Sequence, residues 1–183
     1  MAWSAPMTAV SGEAFDADDF NTYVRDNLNC TMPALATDND FPAWFVATGA
    51  NALAKRNIKS AEVTVSGGQT TSSTSYTNLT TTGPSVSITT GTRALVMISC
   101  LLETNSTNTA AMASFDVTGA SSISASDDWS IWIDGLTANN SLRKGNSHLL
   151  TNLTPGTNVF TMKYRVGSNT GRFNERTIVV WAM

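Results

Sequence analysis

Few residues in this chain are suited to chemistry: His148, the carboxylates Asp127, Asp128 and Asp134, and the thiols Cys30 and Cys100. His148 is the single histidine, so it would have to be the base of any Ser-His-Asp triad. The chain has no Gly-x-Ser-x-Gly elbow to present such a serine. A lone histidine in a strand is more often a packed or hydrogen-bonded residue, and that reading is preferred. A zinc site needs three or four converging His, Cys or carboxylate ligands, and neither the histidine nor the cysteines are spaced for one. Asp127, Asp128 and Asp134 suggest the carboxylate pair of a glycosidase. Neighbours in a strand face opposite ways, so Asp127 and Asp128 do not serve one substrate, whereas Asp128 and Asp134 can share a face. Solvated turn carboxylates are the plainer reading. No DxDxDG calcium loop is present. The chain is therefore expected not to be an enzyme and to take no metal and no cofactor; a glycan-cleaving enzyme would have to use Asp128, Asp134 or His148.

Trp129 and Trp132 are the remaining candidates for ligand contact. Trp129 shares a strand face with Ile131 and Ile133, which makes it core. Trp132 lies on the opposite face and is open to two readings: a residue between subunits, or a sugar-stacking platform beside the loop 121–128. The second reading would make the chain a carbohydrate-binding module. Arg143, Lys144, Lys163, Arg165, Arg172 and Arg176 are spread over three segments and read as a solvated surface.

These residues hang on strands. The segment 93–103 carries Leu95, Val96, Met97, Ile98, Cys100, Leu101 and Leu102 with Ser99 as its only internal polar residue. Such a run predicts a central strand covered on both faces, and Ile178 to Trp181 predicts a second one. Alternating strands are expected at 62–66, 76–80, 85–89, 110–117, 129–136, 147–153, 159–166 and 172–182. Turns at Gly67-Gly68, Gly83-Pro84 and Thr154-Pro155-Gly156 separate several of them, and 69–75 reads as a surface Ser/Thr run. The expected fold is all-β: an antiparallel β-sandwich or jelly roll of eight or nine strands over residues 60–183.

Residues 1–59 look different, and an N-terminal arm with one short helix is expected there. Asp16 is a good N-cap, with Asp18 and Asp19 at the positive end of a helix over 17–28. Phe15 and Phe20 have the spacing of a hydrophobic staple. Phe20, Val24 and Leu28, with Tyr23 beside them, form an apolar stripe. A helix this short is marginal alone and needs a surface to cover it. Phe41, Trp44 and Phe45 follow within a few residues, which suits an arm lying in a groove of another molecule or, alternatively, a loop over one end of its own sandwich.

The chain has 183 residues, enough for one domain and an arm. Only 14% of residues are charged and the net charge is −3, against an ordinary charged share of about 25%. That balance argues against nucleic-acid binding. No apolar run reaches the ~18 residues of a membrane span, and the N-terminus has no signal-peptide pattern. Synthesis in the cytoplasm without export, and no membrane partner, are the expectation. Cys100, inside the apolar strand, reads as a small buried hydrophobe, and nothing in the spacing supports pairing it with Cys30.

The front of the chain resembles a known pattern. Trp3-x-x-Pro6, Val10-x-Gly12-Glu13 and Phe20-Asn21-x-x-Val24-Arg25-Asp26-Asn27-Leu28 are similar to the start of many tailed-bacteriophage virion proteins, of minor tail, fibre and head-appendage types. Thr48-Gly49-Ala50-Asn51-Ala52 ahead of a Ser/Thr-rich β-region fits the same group. The resemblance implies an attachment segment containing Trp3, Phe20, Val24, Arg25, Asp26, Asn27 and Leu28, followed by an outward-facing β-module. With Phe15, Tyr23, Phe41, Trp44 and Phe45 added from the physical reading, these make the expected docking interface. The expected function is a phage capsid decoration protein on the virion surface, self-associating as a trimer and contacting the major capsid protein or a tail protein. A minor tail or fibre protein and a carbohydrate-binding module are the alternatives.

Overall fold

The computed structural model describes Ala14 and residues 16–25, 43–49 and 52–183. The described residues divide into two compact units, one with 14, 16–25, 47–49, 52 and 53, the other with 43–46 and 54–183.

In the first unit, Asp16 caps a helical turn, α1 (Ala17–Asp19), as its type predicts. Its carboxylate accepts the backbone N–H groups of Asp18 at 2.9 Å and Asp19 at 3.0 Å. The Asp19 carboxylate reaches back to the Asp16 N–H, closing a capping box. The helix then widens to π winding over Phe20–Arg25, which departs from the expected regular α-helix. Phe20 is exposed, Tyr23 and Val24 are half-buried, and the Arg25 guanidinium donates to the Asn21 amide oxygen at 2.7 Å.

Ten strands follow: β1 (Ala43–Gly49), β2 (Ala52–Val63), β3 (Gln69–Thr71), β4 (Ser85–Thr90), β5 (Ala94–Thr104), β6 (Ala111–Gly119), β7 (Ile131–Ile133), β8 (Ser141–Leu150), β9 (Gly156–Val166) and β10 (Gly171–Ala182). The expected count is eight or nine, and the two strands not foreseen, β1 and β3, have clear origins. Residues 43–59, assigned to the arm from sequence, supply β1 and most of β2, which runs on to Val63. The Ser/Thr run 69–75 starts with β3, which pairs with β10 beside the stretch where β2 pairs with it. Residues 76–80 form no strand; a single bridge joins Thr77 to Tyr164.

The sheets are ordered β1-β2-β10-β5-β8 and β4-β9-β6-β7, with β3 also on β10. The antiparallel pairs β2–β10, β4–β9, β5–β8 and β6–β7 nest one inside another along the sequence. A long two-stranded ribbon has in effect been rolled up, and the lateral pairs β5–β10 and β6–β9 close the two sheets. This is jelly-roll connectivity.

Alternation along the strands fills the space between the sheets. Val96, Ile98, Cys100 and Leu102 of β5 meet Phe115 and Val117 of β6, Phe160, Met162 and Tyr164 of β9, and Ile178 and Val180 of β10 in one core. Each large apolar side chain buried this way contributes about 1.5–3 kcal/mol. β5 was expected to be covered on both faces. Its inner face is buried, but Leu95, Met97, Ser99, Leu101 and Glu103 remain half-exposed, so it alternates as a one-sided strand does. β10 departs in the same way: Ile178, Val180 and Ala182 are buried, while Trp181 keeps 39% of its surface.

Arg176 overturns the reading of the basic residues as solvated, since it is fully buried. A β-bulge in β10, with Glu175 at φ 47° and a register shift against β5, turns it inward. Its guanidinium donates to the carbonyls of Thr81 at 3.2 Å and Gly83 at 2.9 Å and to the Gln69 side chain at 3.0 Å.

Candidate functional site

β7 is three residues long and forms the edge of the smaller sheet. Ile131 and Ile133 point inward and are buried, while Trp132 between them points outward and stays 55% exposed. Trp129 packs half-buried against the core, though from a 3-10 turn (Asp127–Trp129) and not from the expected strand. Its indole N–H donates to the Phe115 carbonyl at 3.1 Å, and its ring lies 5.9 Å from Phe115 and 5.2 Å from His148. His148 thus serves as an aromatic packing partner on the inner side of β8.

Two recesses flank Trp132. The smaller, about 290 Å³, is lined by Met112, Asp127, Ser130 and Trp132. Its acidic wall is fixed. Arg165 on β9 grips Asp127 through both guanidinium edges, Nε to Oδ1 at 3.1 Å and Nη2 to Oδ2 at 2.5 Å. The Tyr76 hydroxyl donates to Asp127 Oδ1 at 2.7 Å, and the Arg165 guanidinium lies 5.3 Å from the Tyr76 ring centre. The hydrogen bonds from Arg165 and then Tyr76 hold the Asp127 carboxyl below its usual range. Burial, and then the Asp127 carboxylate, push the Tyr76 phenol up to about 12.

The larger recess, about 580 Å³, is lined by Trp132, Ile133, Asp134, Gly135, Leu136, Leu142 and Lys144. It exists because the two sheet edges differ in length. β8 has 10 residues and β7 has three. Leu142 and Lys144 of β8 pair with Leu102 and Cys100, so they face the inner side of their sheet. The short β7 does not reach over them, and Leu142 stays 42% exposed.

The candidate carboxylates do not converge. Asp127 lines one recess and Asp134 the other. Asp134 accepts the Gly135 N–H at 2.7 Å, and Asp128 accepts the Ser126 hydroxyl at 3.0 Å. Among the described residues no group of three or more His, Cys, Asp or Glu side chains is placed to hold a metal ion.

A second surface covers the outer face of the larger sheet. The pairing register puts Ile58 beside Trp181, Trp181 beside Leu95, and Leu95 beside Leu149. Trp44 adds its ring edge-on to Trp181, with centroids 5.2 Å apart and planes 66° apart. Met97 and Val179 extend the patch along the strands. Leu149 is 46% exposed, and Ile58, Leu95, Trp44 and Phe45 are half-buried.

Of the residues expected to dock, Phe20, Tyr23, Val24 and Arg25 lie on the helical segment and Trp44 and Phe45 on β1. Trp3, Phe15, Asp26, Asn27, Leu28 and Phe41 lie outside the described residues. Sequence reasoning missed Trp181 as a surface residue because it sits in an apolar run, and Leu149 because its spacing puts it inward, whereas the register turns His148 and Leu150 to that side. It also missed the Arg165–Asp127–Tyr76 cluster, whose members are far apart in the chain.

No protein-family model matches the chain, and no curated protein matches it. Among solved structures, a VP2 subviral particle of infectious bursal disease virus is similar over 81% of this chain and 41% of that one, with 12% identity and a TM-score of 0.46. T=1 particles derived from the same virus match over 81% of this chain and 39% of theirs, with 13% identity and a TM-score of 0.44. The virus's Gx strain matches over 75% and 37%, with 12% identity and a TM-score of 0.43. This chain spans about two fifths of the length of those chains.

Proposed function

We propose that this chain is a structural protein on the surface of a tailed-bacteriophage virion, a capsid decoration protein that attaches through its N-terminal segment and displays the jelly roll. The observation that carries the proposal is the apolar outer face of the larger sheet. Trp44, Ile58, Trp181, Leu95 and Leu149 form a continuous row across β1, β2, β10, β5 and β8. A row that includes exposed Trp and Leu side chains is an association surface, because leaving it wet forfeits about 25 cal/mol for each Å² that a partner would cover. The occupant is a second copy of the chain in a trimer. Charged side chains are scarce, at 14% of the chain, and little desolvation cost opposes that contact. The N-terminal pattern supports the phage assignment.

Imaging virions that carry the labelled full chain tests the assignment directly. Density for the label over the capsid shell is the expected result. Label found only on the tail, or absent from purified particles, overturns it. In solution, the paired change Trp181→Ser and Leu149→Ser should convert a trimer to a monomer in sedimentation while the far-UV circular dichroism stays that of the folded parent.

A further inference from the structure

We infer that the surface around Trp132 binds a neutral oligosaccharide of hexopyranose units, with the indole as the stacking platform and a sugar ring in each of the two recesses that it lines.

Trp132 presents a large, rigid apolar surface to solvent at 55% exposure. A pyranose has apolar C–H faces that match such a ring, and its rim of hydroxyls must find partners that both donate and accept. The larger recess supplies both. Asp134 accepts and Lys144 donates, with Leu136 and Leu142 forming its apolar part. Its volume of about 580 Å³ falls within the usual range of roughly 300–1,000 Å³ for small-molecule sites. Met112, Asp127 and Ser130 line the smaller recess together with Trp132. The clamp from Arg165 and Tyr76 keeps the Asp127 carboxylate fixed there, so it accepts hydrogen bonds from a ligand with little loss of freedom.

The charges select the class. The larger recess carries one charge of each sign, Asp134 and Lys144, and the Asp127 charge is answered by Arg165. Neither recess therefore presents a net field for a uronate, a sialic acid or an amino sugar cation. Two recesses that share the one ring favour a chain over a single sugar, so affinity should rise from monosaccharide to trisaccharide. The inference does not depend on where the chain resides in a particle. A trimer that decorates no capsid could still bind the sugar, and a decorating protein could fail to.

The test is calorimetric titration of the full chain with maltotriose, cellotriose, laminaritriose, mannotriose and, as the acidic control, trigalacturonate. Saturable binding of at least one neutral trisaccharide is expected, weakened at least about tenfold by Trp132→Ala, partly kept by Trp132→Phe and reduced by Asp134→Asn. Because Trp132 is exposed, its variants should keep the parent's urea midpoint. Four outcomes overturn the inference: silence across the neutral panel, binding untouched by Trp132→Ala, tighter binding of trigalacturonate, or a change in oligomeric state on Trp132→Ala, which would make the surface a protein contact.

Discussion

Arg176 places its guanidinium carbon 5.4 Å from the centre of the Tyr164 ring, and both side chains are fully buried. A cation is thus held inside the jelly roll by a π face, two backbone carbonyls and the Gln69 amide oxygen. The Tyr164 hydroxyl donates to the same Gly83 carbonyl, at 2.9 Å. The pair therefore fastens the 81–83 turn to β9 and β10.

Arg176→Ala should lower stability by about 3 kcal/mol or more, because it leaves the Thr81 carbonyl unpaired and opens a cavity beside Tyr164. Arg176→Lys should recover only part of the loss, since an ammonium is more strongly hydrated and lacks the planar fork. Urea unfolding followed by tryptophan fluorescence reads both. A midpoint for Arg176→Ala within error of the parent would contradict the fastening role.

Asp127 gives the fold an acid-sensitive contact. Its folded-state pKa lies below the ordinary carboxylate value, through hydrogen bonds from Arg165 and then Tyr76. The stabilisation is therefore present in full above about pH 4 and fades as pH falls through the lowered folded value. Asp127→Asn should be less stable than the parent at pH 7, and the gap should close on acidification. The carboxylate is largely exposed, so the effect is modest and screened by salt. Urea midpoints of both proteins from pH 7 to pH 2 provide the check.

Cys100 is buried in β5, and burial raises its thiol to about 12. Iodoacetamide at pH 8 should leave Cys100 unmodified in the native protein and alkylate it in urea. Peptide mass spectrometry distinguishes the two; fast native labelling at Cys100 would show the strand opening.

Asn158 ties three connections together inside the core. Its amide oxygen accepts the Ser121 N–H at 2.7 Å, and its amide nitrogen donates to Thr90 Oγ1 at 2.8 Å and the Thr154 carbonyl at 3.1 Å. Asn158→Ala should cost about 2–3 kcal/mol, mostly from groups left buried and unpaired. Thermal unfolding checks the value, and Asn158→Asp should not restore it, because a carboxylate cannot replace the two amide donations.

Much of the fold was legible because burial alternates where the sequence does. Val86 and Ile88 in β4, and Ile131, Trp132 and Ile133 in β7, lie on the faces that their spacing implies. Long apolar runs misled. In β5 and β10 the second face looked like interior from the residue types, yet it is the outer side of a sheet. Residue type reports affinity for burial and not whether this chain provides the cover. Arg176 was illegible for the opposite reason: a bulge, which no local pattern signals, redirected a charged side chain inward. Trp132 was correctly placed off the core face. Its recesses could not be foreseen, since they arise from the unequal lengths of β7 and β8, two strands in different sheets.

The nested pairing has a kinetic corollary. Ala113 and Ile131, in the innermost pair, are separated by one connection, whereas Ile58 and Trp181, in the outermost, are separated by nearly the whole β-region. Closing the longer loop from an open chain costs roughly 2 kcal/mol more. Once the inner pairs have zipped, most of that separation has already been taken up. The molecule should assemble from the tip of its ribbon backwards, with the Trp181 row the last surface to come into being.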